Sequence, residues 1–259
     1  HNELNQRCES LSLRYDHTVP FVRYCMTNKI DKMKRYCIGK VYRRETTALA
    51  QIRQREFYQA DFDFVGHYDD QLPELQIFCM IQELFQALDV TNYQILYNYR
   101  QNLDFYLKEA GICESKSQTV CSSIDKLDKV DKQAVREELL SKGISDQQID
   151  KLYDFLFSEQ IITNPCVREI DQKFTEYMEQ IQILDLSKIT YTPTLARGLD
   201  YYTGIIFEVK LINTDLTKSM TLCAGGRYDG LINRYRKDDE TTVPIVPMIG
   251  FCFGIDRIL

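Results

Sequence analysis

Apolar residues in this chain recur at two spacings, every second residue in some stretches and every three or four in others. The alternation marks strands and helices in turn. Its centre is the stretch Lys34 to Gly66, KRYCIGKVYRRETTALAQIRQREFYQADFDFVG, which reads as two strands joined by a polar loop. In the second strand Tyr58, Ala60, Phe62 and Phe64 fall on one face and are expected to meet a core. Arg55, Phe57, Gln59, Asp61 and Asp63 fall on the other. The first strand puts Cys37, Gly39, Val41, Arg43 and Glu45 together. Such a surface suits a ligand carrying an anion beside a cationic or hydrogen-bonding group, or else it is a solvated face with cross-strand ion pairs.

Ahead of it, LSLRYDHTVPFVRY (Leu11 to Tyr24) begins with alternating apolar residues, and a helix is expected after Pro20. Asp16 and Thr18 lie two apart, so on an extended backbone they point the same way. They form an ammonium-binding pair or a turn and helix cap. Behind it, Pro73 to Leu88 is predicted as an amphipathic helix, Tyr93 to Tyr99 as a strand, and Leu103 to Ala110 as a short helix ended by Gly111.

From about Cys113 glycine almost disappears and strand patterns fade. Helices are predicted at Lys132 to Lys142, at Asp146 to Ser158 behind a Ser145 cap, and at Val167 to Leu184. The last carries a stripe of Val167, Ile170, Phe174, Tyr177, Ile181 and Leu184. These patterns give an α+β protein in three parts: a core over 1–112, a helical insertion over 113–188, and the rest of the core over 189–259. Strand character returns at Ile189. LARGLDYYTGIIFEV sets Arg197, Asp200, Tyr201 and Tyr202 before a β-branched strand, and CAGGRYDGL offers paired glycines for close backbone approach. IGFCFGIDRIL reads as a strand passing through Gly254 into a helix start bearing Arg257, a plausible nucleotide site.

The 259 residues are 44% hydrophobic, enough for one large core with an insertion. No apolar run approaches the roughly 20 residues that span a bilayer, so no membrane partner is expected. Nine cysteines are scattered without a CxxC pair or a His/Cys cluster. Neither a zinc site nor a disulfide framework is therefore expected, and reduced thiols point to the cytoplasm. The net charge of −6 argues against a nucleic-acid binder, yet Lys29, Lys32, Lys34, Arg35, Lys40, Arg43, Arg44, Arg53 and Arg55 cluster in one region. Local charge decides phosphate binding, so nucleic acid stays open.

Four segments together resemble one family, the histidyl-tRNA synthetases of class II, in their eukaryotic form: LRYDHTVPFVRY, VYRRE…RQREFYQADFD, LARGLDYYTGIIFE and AGGRYDGL…GFCFGIDRI. The second resembles class II motif 2 and the last motif 3. LARGLDYY resembles a signature of the histidine-specific enzymes. The resemblance implies the class II catalytic fold, a mainly antiparallel sheet flanked by helices. It also implies adenylation of L-histidine with ATP and magnesium, then transfer to tRNA(His). Arg43, Arg197 and Arg257 fall on the family's catalytic arginines. Arg43, Glu45, Arg55, Phe57, Gly254 and Arg257 fall on ATP-binding positions. Asp16, Thr18, Gln59, Asp63, Tyr201, Tyr202 and Tyr228 fall on the histidine pocket.

The chain departs from the family pattern in two places. The loop TTALAQI replaces an Asn-Pro-Ala and a glycine usual in eukaryotic relatives. The chain also opens after motif 1 and closes at motif 3, which makes it a catalytic-core piece of a protein expected to be a homodimer at full length. The alternative is an inactive synthetase-like domain that binds uncharged tRNA or regulates another protein.

Overall fold

The structure is a computed structural model, and it describes residues 12–44, 54–69, 71–128, 130–158, 163–197, 201–212, 220–235 and 246–258. Seven strands form one sheet: β1 (Met33–Tyr42), β2 (Glu56–Val65), β3 (Tyr93–Tyr99), β4 (Ile189–Tyr191), β5 (Ile205–Leu211), β6 (Met220–Arg227) and β7 (Met248–Gly254). Their spatial order is β1-β2-β7-β6-β5-β3-β4. Every neighbouring pair is antiparallel except β3 and β4, which run parallel. The helices are α1 (Thr18–Asn28), α2 (Leu72–Ala87), α3 (Arg100–Glu109), α4 (Ser117–Ile124), α5 (Lys132–Ser141), α6 (Asp146–Phe157) and α7 (Pro165–Gln180). An α+β architecture is what the alternating patterns predict.

Local chemistry explains most boundaries. Ser145 and Gln148 form a reciprocal capping box at the start of α6. Asn164 accepts from the Cys166 backbone N–H, with Pro165 in the first turn of α7. Gly111, at φ +72°, follows the end of α3. Three expectations need correction. The first helix begins at Thr18, not after Pro20, because Asp16 Oδ1 accepts from Val19 N at 3.0 Å and Pro20 fits the first turn. α7 ends at Gln180, and its buried stripe is Val167, Phe174 and Met178 while Ile170 and Tyr177 stay exposed. Helix α4 and the single 3-10 turn before it are too short and polar to show a period.

The two faces of the sheet differ in kind. One is apolar: Ala60, Phe64, Ile205, Phe207, Val209, Ile249, Phe251 and Phe253 pack against Phe78 and Phe85 of α2 and Phe174 of α7. Phe78 has no exposed surface and meets Phe207 at 5.3 Å and Phe174 at 5.4 Å, both edge to face. Phe78→Ala is expected to cost about 3–5 kcal/mol. A drop in the denaturant midpoint with unchanged slope checks it. The other face is polar toward β1, β2 and β7. Helices α1, α3, α4, α5 and α6 bury a second cluster at its flank. The uncovered part of this face is the pocket.

Candidate active site

The pocket floor follows from register. Gln59 pairs with Gly254, Asp61 with Cys252, and Asp63 with Gly250 across β2 and β7. Cys252 then pairs with Ala224, and Ala224 with Glu208. All the odd-numbered members of β2 from Phe57 to Asp63 therefore share a face with the even-numbered members of β7 and β5. Glycines keep this floor low. A Cβ on Gly250 would lie 2.4 Å from Asp63 Oδ1, and on the opposite, apolar face one on Gly225 would lie 2.2 Å from the Gly250 carbonyl oxygen. Gly226, at φ +156°, lets the Tyr202 ring lie against the sheet, since a Cβ there would come within 2.8 Å of the ring.

The resulting cavity is about 460 Å3, in the size range of small-molecule sites. Its lining includes Asp16, Thr18, Arg43, Phe57, Gln59, Arg197, Tyr201, Tyr202, Tyr228, Gly254 and Arg257, eleven of the residues singled out from sequence. They come from both ends of the chain.

The three arginines are held differently. The Arg43 guanidinium lies over the rings of Tyr15 (4.6 Å) and Phe57 (5.0 Å) and faces the Gln59 carbonyl oxygen at 3.5 Å. Arg257 Nη1 donates to the Thr221 carbonyl at 2.8 Å. Arg197 Nη1 sits 3.6 Å from Glu208 Oε1, and Glu208 also accepts from the Thr221 hydroxyl. Burial works against the charge on Arg197. Tyr202, Glu208, Asp125 and Tyr201 outweigh it and hold the group protonated, its pKa raised.

The tyrosines make the wall. Tyr201 and Tyr202 have ring centroids 4.7 Å apart, and Tyr201 meets Tyr228 edge to face at 6.1 Å. Burial pushes all three phenols up, so they act as neutral hydrogen-bond donors and acceptors.

Other predicted residues sit elsewhere. Asp63 does not line the cavity. It is 2% exposed, paired with Arg35 Nη2 at 2.7 Å, and it accepts from the Tyr228 hydroxyl. Burial raises its pKa against the pull of Arg35 and Tyr228. Arg55 is exposed outside the cavity, and its backbone carbonyl accepts from Arg43 N at 2.9 Å. Glu45 and residues 198–200, Asp200 among them, lie outside the described residues. On β1 the alternation predicts Cys37 and Gly39 in the ligand floor. The His17 ring covers them instead, with Nε2 3.2 Å from the Gly39 carbonyl oxygen and Nδ1 3.7 Å from Cys37 Sγ.

Asp61, Glu208, Cys252, Asp125 and Asp256 also line the pocket and carried no assigned role. Asp61 shares the strand face of Gln59, which is a readable signal. A glutamate inside the β-branched run IIFEV is another. Asp125 follows α4 in the helical stretch, and nothing local in the sequence ties it to the floor.

Comparison with known proteins agrees with this geometry. Residues 4–258 match the family described as histidyl-tRNA synthetase. The chain is 39% identical, over 98% of its length, to a cytoplasmic histidine–tRNA ligase of Dictyostelium discoideum, and 37% identical over the same share to a human mitochondrial one. It covers 54% of each, so it spans about half the length of the curated relatives it matches. A crystal structure of histidyl-tRNA synthetase from Nostoc superposes with a TM-score of 0.71 at 26% identity, covering 95% of this chain and 58% of that one.

Proposed function

The chain belongs to the histidyl-tRNA synthetase family and has its class II catalytic fold, and from that premise we propose that the pocket joins L-histidine to ATP and passes the histidyl group to the 3′ end of tRNA(His). The observation that carries the reading is convergence. Arg43, Arg197 and Arg257, far apart in sequence, meet three tyrosines and a glutamine in one cavity. A binding or scaffold role needs no such set.

In the first step a histidine carboxylate oxygen attacks the α-phosphorus of ATP, the bond to the β-phosphate bridging oxygen breaks, and pyrophosphate leaves. Negative charge builds on the α-phosphate oxygens. Positioned cations in a site shielded from water lower that barrier. Arg43 grips the carboxylate and α-phosphate with its planar fork, and Arg197 neutralises the growing charge. Arg257 holds the far phosphates. Phe57 stacks on the adenine, near Gly254, while Asp16, Thr18 and Gln59 take the ammonium. Tyr201, Tyr202 and Tyr228 enclose the imidazole, and Asp63 sets the Tyr228 hydroxyl. Arg55 and Glu45 remain proposed for the ATP side. Magnesium would accompany the ATP phosphates and supply further charge neutralisation. Its preference for oxygen donors fits the carboxylates of Glu208 and Asp256 in the same cavity.

The full-length protein is proposed to work in the cytoplasm as a homodimer. Among the described residues no helix is long and apolar enough to cross a membrane.

ATP–pyrophosphate exchange tests the reading, on this chain and on the full-length protein. Exchange is expected only when histidine is present. Absence of exchange in both, with tRNA binding retained, would favour an uncharged-tRNA sensor.

A further inference from the structure

Gln59, Asp61 and Asp63 point the same way from β2, and their carboxyl and amide oxygens differ in what they already hold. Gln59 Oε1 faces Arg43, and Asp63 is engaged by Arg35 and Tyr228. Asp61 lies between them, lines the pocket and is 2% exposed. Its Oδ1 has no hydrogen-bond partner among the described residues, and its side chain takes a hydrogen bond from Cys252. A buried carboxylate with an unfilled oxygen is costly unless something arrives to fill it.

The charged and titratable groups around Asp61 come from every packed element. Asp63 stands on its own strand, Arg35 on β1, Cys252 on β7, Cys223 on β6, and Asp16 just before α1. Arg35, the neighbouring cation, is already committed to Asp63 and donates to the His17 carbonyl at 2.8 Å. The pocket floor thus presents one carboxylate in want of a positive donor.

We propose that Asp61 is a further ligand-reading residue, whose carboxylate accepts a hydrogen bond from a cationic N–H of the bound amino acid, either its ammonium or its imidazolium. This rests on the histidine reading above. Burial first, and the charge of Asp63 second, push the Asp61 carboxyl up to about 7 in the empty pocket. The neutral acid then exchanges its proton for the ligand cation: Asp61 loses H⁺ to solvent as the ligand N–H⁺ docks. A group whose proton leaves on binding weakens binding below its own pKa. Histidine affinity is therefore lower on the acid side of neutrality and rises as pH climbs through about 7.

Calorimetric titration of the wild-type chain with histidine, in two buffers of different ionisation heat, tests the exchange without any substitution. Release of close to one proton is expected near pH 6, falling toward none near pH 8 if the ammonium is read. Affinity should rise on the order of tenfold between those pH values, the change in ionised fraction of a group titrating near 7. Affinity that keeps rising through pH 7 and weakens only when the ammonium itself deprotonates on the alkaline side identifies the ammonium as the donor. A maximum near neutrality with weakening above it identifies the imidazolium, whose own proton leaves near pH 6.5. Asp61→Asn should flatten the acid limb and weaken binding at pH 8. An Asn variant with wild-type affinity and slope, or a wild-type chain that binds histidine without releasing a proton at pH 6, overturns the role of Asp61 alone. A wild-type chain that does not bind histidine at all overturns the functional reading and this role with it.

Discussion

Replacing Arg197 with alanine is expected to slow histidine-dependent pyrophosphate exchange by roughly 10²–10³-fold, the loss seen when one positioned donor is removed from a developing oxyanion. The guanidinium lines the pocket, with Glu208 Oε1 3.6 Å from its Nη1, and it is held protonated. Its charge faces the cavity in which the phosphate would sit as the transition state forms. Interactions stronger in the transition state than in the ground state raise turnover and leave substrate binding largely alone. Histidine affinity should accordingly change little. Glu208 keeps the Thr221 hydroxyl and Lys210, so the thermal midpoint should hold. Arg197→Lys restores a point charge without the planar fork and should recover part of the rate. Single-turnover adenylate formation separates these effects, and a near-normal rate in the alanine variant would remove Arg197 from the chemistry.

Gly225→Ala is expected to be strongly destabilising. Its Cβ would meet the Gly250 carbonyl oxygen at 2.2 Å, Phe207 Cζ at 2.5 Å and Phe251 Cβ at 2.7 Å. The first is backbone of the adjacent strand, and the other two belong to the packed aromatic face, so neither side yields cheaply. A cost of about 3 kcal/mol is the upper end of ordinary overpacking. For a domain of this size that lowers the thermal midpoint by roughly 6–12 °C. Gly254→Ala is the control. It has Arg257 Cδ as its nearest neighbour at 3.5 Å, an ordinary contact, and φ −84°. That variant should melt normally and show its effect on ATP binding instead. Equal melting of the two variants would contradict the steric account.

The strands were legible because their periodicity is strong. Tyr93–Tyr99 has the predicted bounds, and the hairpin starts within a residue of its predicted place. The core side of β2 was legible too, except that Tyr58 is 43% exposed near the strand's end, beyond the reach of the helices below. The site was harder. Alternation set Phe57, Gln59, Asp61 and Asp63 on one face, but it does not say which of them a neighbour will claim. Arg35, opposite Asp63 in register, and Tyr228, from the far end of the chain, make that choice. His17 closing over Gly39 is a tertiary event of the same kind, carried by no local pattern. Asp125 enters the pocket from a turn whose polar sequence reads as surface. What periodicity cannot reach is contact between elements distant in sequence.

The place of β7 in the sheet has a consequence for biosynthesis. The strand that joins β2 to β6 is the last of the seven to be made. While a ribosome extends the chain, the β1–β2 hairpin and the β6-β5-β3-β4 group have no shared hydrogen bonds between strands. The edges of β2 and β6 that will later hold β7 stay open, and open edges invite pairing with other chains. Both halves of the pocket also wait on it, since Gln59 and Asp61 lie on one side of β7 and Ala224 and Glu208 on the other. A nascent chain stopped before Met248 thus lacks the strand that joins the two groups and completes the pocket floor between them.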